Sequence, residues 1–371
     1  MNKVLIFGTF DIIHPGHVRL LREAKKYGVV HAVVSRDETA AIVKGEPPMH
    51  SMAERMTSLA TYGVTVHPGS TGDKLETFKA LRPDIVILGY DQHRFVDQLT
   101  EHIRANVPNT RVITVPPLSP EIFKTKKIKA VLNDIDAGFL LIDKESGAPS
   151  FRLVTQLRKL LGIRQIGFAG TLDPLASGLL VFGTGRATTL LDWWHLLPKT
   201  YEAVIRLGVT SNTYDREGEI RAVSDRVPTQ SELMSVIKEF SGTLMQKPPA
   251  FSAIKRAGVA LYTLARQGIA VDVAPREITV YGNTLSEYSY PYVHCLISCS
   301  SGTYIRSIAH DIGERLGTGA LLAELRRTAI GPFDVREAHT VAAIRADTWK
   351  EKCVPFEKLR TAVISALFPD Y

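Results

Sequence analysis

Two short stretches hold most of the residues able to do chemistry. In GFAGTLDPLASG (167–178) a single acid, Asp173, stands among glycines and small residues and is followed by Pro174. A lone carboxylate in a Gly-rich loop is the right type for a nucleophile or a base. The same residues also read as a plain turn, since Asp opens turns well and Pro follows it well. In GTFDIIHPGH an apolar run ends at Gly8-Thr9-Phe10-Asp11, and His14 and His17 follow. Three apart at the start of a helix, both imidazoles can face one side. The free N–H groups and dipole of such a helix start attract anions. Histidines beside them can stabilise charge on a phosphate under attack, and Gly16 lets the backbone approach closely. A Gly/Pro turn with two surface histidines is the alternative.

The elements around these stretches set the fold class. The chain has 371 residues, 45% hydrophobic and 22% charged, with a net charge of +7. That length suggests two or three domains, and the composition excludes disordered, collagenous and coiled-coil classes. No apolar run approaches the ~18 residues of a membrane span. MNKVLIFGTFDII is broken by Gly8, Thr9 and Asp11 and reads as a buried strand rather than a signal peptide. Cys295, Cys299 and Cys353 form neither a zinc spacing nor a disulfide framework, which suits a cytoplasmic protein.

Up to about residue 130 the strand-like runs KVLIFGT, HAVVS and PDIVILG alternate with helical patterns, so an α/β doubly wound parallel sheet is expected. In HVRLLREAKKYG, Val18, Leu20, Leu21 and Ala24 give the apolar side and Gly28 a stop. A basic helix, KTKKIKAVL, closes this part, and domains over 1–132 and 137–371 follow. The second opens with the strand GFLLIDK. SFRLVTQLRKLLG then predicts a helix with Ser150 as N-cap and Gly162 as stop. The β-rich runs TYEAVIRLGV and VHCLISCS come later, so an α+β mixed sheet is expected.

GTFDIIHPGH, RDET with Lys44-Gly45 after it, Arg55 in AERM, and RPDIVILGYDQ together resemble the cytidylyltransferase-like nucleotidyltransferases. The nearest likeness is to glycerol-3-phosphate cytidylyltransferases and archaeal-type FAD synthetases. The resemblance implies transfer of a nucleotidyl group from ATP or CTP, with Mg2+, to a phosphorylated small acceptor. It implies nucleotide contacts at Gly8, Thr9, Phe10, Asp11, His14, Gly16, His17, Lys44, Arg55, Asp91, Thr125 and Lys127. The family's late Ser/Thr-rich signal appears here as FKTKKI, where Lys124 and Lys126 replace small hydroxyls. A degenerate domain that only binds nucleotide or RNA is the alternative.

From 138 to 337 the chain resembles the bacterial tRNA pseudouridine synthases of the TruB family, which modify the T-loop uridine, position 55. The likeness runs through GFLLIDKESGAPS, the Asp173 loop, KTYEAVIRLGVTSNTYDREGEI, KPPAFSAIKRAGVALYTLARQG and SSGTYIRSIAHDIGERLGTGALLAELRRTAIGPF. It implies a pseudouridine synthase fold, no cofactor for that reaction, and the T-arm of tRNA as partner. Asp173 would be the catalytic carboxylate, Tyr201 the tyrosine that stacks on the base, and Arg306 the partner of the acid. Desolvation raises a buried carboxyl and an adjacent Arg lowers it, so an Arg partner keeps Asp173 charged near neutral pH. Tyr304, read on a strand two residues before Arg306, would line the uracil pocket, and Lys144 would be a structural lysine near the site. Phe168 stands where the family usually has His. Lys255, Arg256 and Arg266 would contact phosphates. The tail after GPF is too short for the separate RNA-binding domain of long members. A tRNA-folding chaperone with a nucleotide-binding module is the rival reading; it would have no need of Asp173, Tyr201 and Arg306.

Overall fold

The structure, a computed structural model, describes residues 1–90, 92, 96–251, 255–256, 259–260, 267 and 273–371. It divides into two units, Met1–Asp134 with Val363–Tyr371, and Ile135–Ala362.

In the first unit β1 (Asn2–Gly8), α1 (Pro15–Lys25), β2 (Gly28–Val34), α2 (Asp37–Lys44), α3 (Met52–Ala60) and β3 (Thr65–Pro68) come first. They are followed by α4 (Glu76–Leu81), β4 (Ile85–Gly89), α5 (Val96–Asn106), β5 (Arg111–Val115) and α6 (Thr125–Leu132). Among the described residues the five strands run parallel in the order β3-β2-β1-β4-β5. The order reverses at β1, so the carboxyl ends of β1 and β4 flank a switch point, where such sheets bind ligands. Both faces are covered, which explains why the strands read as continuous apolar runs. Val4 and Ile6 pack with Val18, Leu21 and Leu59 on one face; Leu5 and Phe7 pack with Phe78 and Leu99 on the other. The α1 helix stops at Lys26 rather than Gly28; Gly28 instead opens β2, where a Cβ would lie 2.1 Å from the Asn2 carbonyl oxygen.

The second unit begins with β6 (Gly138–Lys144), α7 (Ser150–Leu161), β7 (Ile166–Ala169), β8 (Ser177–Thr184), α8 (Leu191–His195) and β9 (Lys199–Leu207). It continues through β10 (Val209–Ser211), β11 (Ile220–Ala222), α9 (Gln230–Glu239), β12 (Gly242–Gln246), β13 (Lys255–Arg256) and β14 (Val259–Ala260). Next come β15 (Arg276–Ser289), β16 (Tyr292–Cys299), α10 (Ile305–Leu316), β17 (Ala320–Ile330), β18 (Phe333–Asp334) and β19 (Cys353–Val354). The main sheet is mixed: β17 pairs antiparallel with β9 and parallel with β8. Its core gathers Leu140, Ile142, Leu180, Phe182, Ile205, Ile297 and Ile308. Ser150 is the first residue of α7 and Pro149 holds the cap position, so the Ser150 hydroxyl is free for another task.

The end of the expected second domain, Val363–Tyr371, groups with the first unit. The physical reason is apolar: Ile364 and Phe368 are buried in the β1–α1 core, and the Tyr371 ring lies 5.9 Å from that of Tyr62. Truncating a buried aromatic costs about 3–5 kcal/mol. Phe368→Ala should therefore destabilise the first unit by that order, read as faster amide hydrogen exchange in β1 and α1. Unchanged exchange there would contradict the packing.

Candidate active sites

The Asp173 loop joins β7 to β8, and both its ends need glycine. Gly170 has φ +70° and Gly178 φ +100°, and a Cβ on Gly178 would sit 2.3 Å from the Arg327 carbonyl oxygen. Between them the peptide groups are met from outside the loop. The Ser150 hydroxyl donates to the Leu172 carbonyl at 2.8 Å and accepts from the Leu172 N–H. Gly147 N–H donates to Pro174 O at 2.7 Å, and the Ser146 hydroxyl to Leu175 O at 2.7 Å. The fully buried Lys144 ammonium donates to the carbonyls of Glu145, Pro174 and Ala176. Burial brings that lysine down to about 8, with Asp173 and Glu217 pulling the other way. Lys144 thus ties the loop to the end of β6.

So held, the Asp173 carboxylate lies 2.9 Å from Arg306 Nε and keeps 38% of its side chain open. Arg306 is almost wholly buried. It also donates to Thr213 O at 3.0 Å and Phe251 O at 2.9 Å, and its Nη1 lies 3.3 Å from Asp215 Oδ2. Asp215 is in turn fixed by the Thr213 hydroxyl at 2.7 Å and the Glu217 N–H at 3.0 Å. Burial raises the Asp173 carboxyl, Arg306 opposes this and Asp215 adds to it; the balance stands above the ordinary value. The sequence reading missed Asp215. Its signal is the first acid in NTYDREGE, next to Tyr214, whose φ of 63° marks a forced turn.

Tyr201 lies on β9, buried in the core, with Ile297 and Arg327 as its register neighbours. Burial pushes its phenol up, while Arg327 beside the hydroxyl works against the rise. Tyr304 is on no strand: it is the N-cap residue of α10, so the expected strand-face alternation with Arg306 does not hold. Two hydrogen bonds with the Gln246 amide hold its backbone, and the Arg276 guanidinium lies 4.8 Å over its ring. Phe168 is half-buried on β7, tilted against Phe182 at 5.7 Å. Lys255 and Arg256 form the short strand β13, and Arg266 lies outside the described residues.

In the first unit the sequence from Gly8 to His17 crosses the carboxyl end of β1. Gln92 ties that end to β4, donating to Phe7 O and accepting from Gly89 N–H. Phe10 takes φ +51° and is buried. Asp11 accepts the Met49 and His50 N–H groups and pairs with Lys129 at 2.9 Å. Burial alone would raise that carboxyl, but these partners hold it below its ordinary value. His14 caps α1: its Nδ1 accepts the Gly16 N–H at 3.2 Å, which leaves the proton of the neutral ring on Nε2. The His14 and His17 rings stack at 3.9 Å, and burial and His17 together lower His14 well below the usual imidazole value. A Cβ on Gly16 would approach the His14 ring to 3.0 Å, so this cradle needs glycine.

Other expected contacts separate. Arg55 is wholly buried: it donates to the carbonyls of Thr9, Ser35 and His50 and pairs with Asp37 at 2.6 Å. It is a cross-link between strand ends, corrected here from a nucleotide contact. The Thr9 hydroxyl accepts from Ser35 at 3.3 Å. Lys44 is exposed at the end of α2, and Thr125 and Lys127 are half-buried in the first turn of α6. Asp91 lies outside the described residues.

Comparison with known proteins gives these arrangements a family. The N-terminal domain of TruB family pseudouridylate synthase matches residues 158–305, and the tRNA pseudouridylate synthase B C-terminal domain matches 306–366. The chain belongs to the TruB family. A cytidylyltransferase-like domain matches residues 5–132, so the TruB part is fused to a nucleotidyltransferase-like unit. The tRNA pseudouridine synthase B of Protochlamydia amoebophila is 47% identical over 55% of this chain and 80% of the relative. That of Chlamydia pneumoniae is 42% identical over 55% and 87%. A solved H/ACA RNP bound to a substrate RNA containing 2'-deoxyuridine is 28% identical over 61% of this chain and 58% of that one, with a TM-score of 0.43. The chain is thus an isomerase of the tRNA pseudouridine synthase type. Among the described residues no helix is long and apolar enough to cross a membrane.

Asp215 raises the Asp173 carboxyl, so Asp215→Asn should lower it and move the acidic limb of kcat/KM to lower pH. The looser Arg306 should also cost about ten- to a hundredfold in kcat. An acidic limb that moves upward would contradict this electrostatic order.

Proposed function

We propose that the second unit isomerises the T-loop uridine of tRNA, position 55, with Asp173 as the catalytic carboxylate. The reading rests above all on the Arg306–Asp173 contact in a loop fastened from outside. In the reaction the N1–C1′ bond breaks, the uracil turns, and C5 bonds to C1′; one proton leaves C5 and one arrives at N1. The balance needs no oxidant or reductant. Asp173 acts at the sugar or the ring as an ionised group, and Arg306 keeps it ionised. Extruding the uridine costs a few kcal/mol, repaid by contacts in the pocket. Tyr201 and Tyr304 offer the aromatic surface of that pocket, Phe168 stacks on neighbouring bases, and Lys255, Arg256 and Arg266 meet phosphates. The reaction takes place in the cytoplasm.

For the first unit we propose nucleotidyl transfer from ATP or CTP to a phosphorylated small acceptor. His14, His17 and Gly16 would grip the triphosphate together with Thr125 and Lys127 at the start of α6. Magnesium would be held by the phosphates of the nucleotide and would offset their charge, while the Asp11 carboxylate stays engaged by Met49, His50 and Lys129. Two stacked imidazoles resist sharing charge, and a bound polyanion removes that resistance, so the pair supplies protons where phosphate charge builds.

Asp173→Asn should lower tritium release from tRNA labelled at uridine C5 by at least about a thousandfold, with tRNA affinity unchanged. Surviving turnover would refute the role of the acid. His14→Ala and His17→Ala should each abolish pyrophosphate release, screened over flavin mononucleotide, glycerol 3-phosphate and phosphocholine as acceptors. Absence of release by the wild type across such acceptors would leave the first unit a binding module.

A further inference from the structure

The second unit buries a further guanidinium, that of Arg327, which takes no part in the chemistry of Asp173 and Arg306. Arg327 is 1% exposed. Its backbone stands in the sheet between Tyr201 on β9 and Gly178 on β8. Its side chain donates through Nε to the Leu179 carbonyl at 2.6 Å and through Nη2 to the Gly170 carbonyl at 2.8 Å. One planar group therefore joins the residue that enters the Asp173 loop to the strand that leaves it. The close approach of Gly178 to the Arg327 backbone belongs to the same contact. The guanidinium also lies beside the Tyr201 hydroxyl.

We propose that Arg327 is a positioning residue for uridine isomerisation, a buried clasp that fixes the span of the Asp173 loop and its distance from Tyr201. The proposal deepens the reading of Asp173 as the catalytic carboxylate and rests on it. A fork of fixed geometry suits the task, because two carbonyls at the two ends of one loop must be met at once. Lys144 cannot substitute, since its donors are spent on Pro174 and Ala176 in the interior of the loop and on its own neighbour Glu145. Arg306 holds the carboxylate itself, whereas Arg327 touches only backbone on either side of it. The position of the reacting group then depends on two cations with separate duties.

The test compares full-length wild type, Arg327→Met and Arg327→Lys, with Asp173→Asn in parallel. Single-turnover and steady-state tritium release from tRNA labelled at uridine C5 is combined with amide hydrogen exchange and thermal unfolding. A misplaced catalytic group costs on the order of a hundredfold. Arg327→Met should lose about that in kcat with KM for tRNA unchanged, and exchange at Leu172–Ser177 should quicken while the rest of the main sheet stays protected. Arg327→Lys, which keeps one donor, should recover about tenfold of the loss. A folded Arg327→Met with kcat within threefold of wild type, or unchanged loop exchange, overturns the proposal. So does failure of both variants to fold, since Arg327 would then hold the whole sheet rather than the loop. If Asp173→Asn turns over, the reading of the acid falls and this proposal with it; if only Arg327→Met turns over, Arg327 alone is misassigned.

Discussion

One guanidinium between two carboxylates governs the second unit. Arg306 meets Asp173 at 2.9 Å and Asp215 at 3.3 Å, in a place where it is itself nearly sealed from water. A buried ion without a partner is strongly unfavourable, so each group needs the others to be there at all. Burial lifts the Asp173 carboxyl above its ordinary value, Arg306 opposes the rise and Asp215 adds to it. The result is a carboxyl more basic than a free one, with a guanidinium held against it. A residue meant only to stabilise the fold would be better served by a neutral side chain or a second cation.

The rest of the unit makes that arrangement stationary. Buried peptide carbonyls must be met, and a loop with no ladder of its own has to find donors elsewhere. Ser146, Gly147 and Ser150, with Lys144, arrive from the segment after β6 and the first turn of α7, and Arg327 arrives from β17. The donors come from segments far apart in sequence. The loop cannot form before the sheet closes, and the sheet has no reason to admit two buried cations except the carbonyls they meet. The hydroxyl of Ser150 shows the logic at one residue. It is moved from the capping task its position suggests to the Leu172 peptide, one residue before the acid.

What the sequence made legible follows from this. The apolar runs of β1, β4 and β6 were legible because a buried strand shows itself without its partner, whereas Asp173 and the His14–His17 pair also read as turn residues and stand out only with the family resemblance. Asp215, Arg327 and Lys129 were not legible, because an acid or a base in a strand or loop declares nothing until its partner is placed beside it. Arg55 shows the converse error: its type fits phosphate binding, yet four oxygens of the protein already occupy it. Tyr304 was misplaced because alternation was assumed along GTYIRSI, where the chain in fact turns from an extended cap residue into a helix. The grouping of Val363–Tyr371 with the first unit was invisible for a simpler reason. Ile364 and Phe368 mark an apolar face, and no local pattern says which core receives it.

The two units solve opposite problems with the same device, a glycine-bearing segment at the end of a buried strand. In the first, the strand end runs into a helix whose opening N–H groups are met by His14, and burial and the stacked His17 ring push the His14 imidazole well below its usual value. In the second, the peptide carbonyls are met by cations so that the surrounding polarity is spent before substrate arrives, and the single negative group left with open surface is Asp173 among the loop's own side chains. Basic residues are in excess within the first 130 positions, whereas the cations Lys144 and Arg327 beside the Asp173 loop are spent on backbone carbonyls.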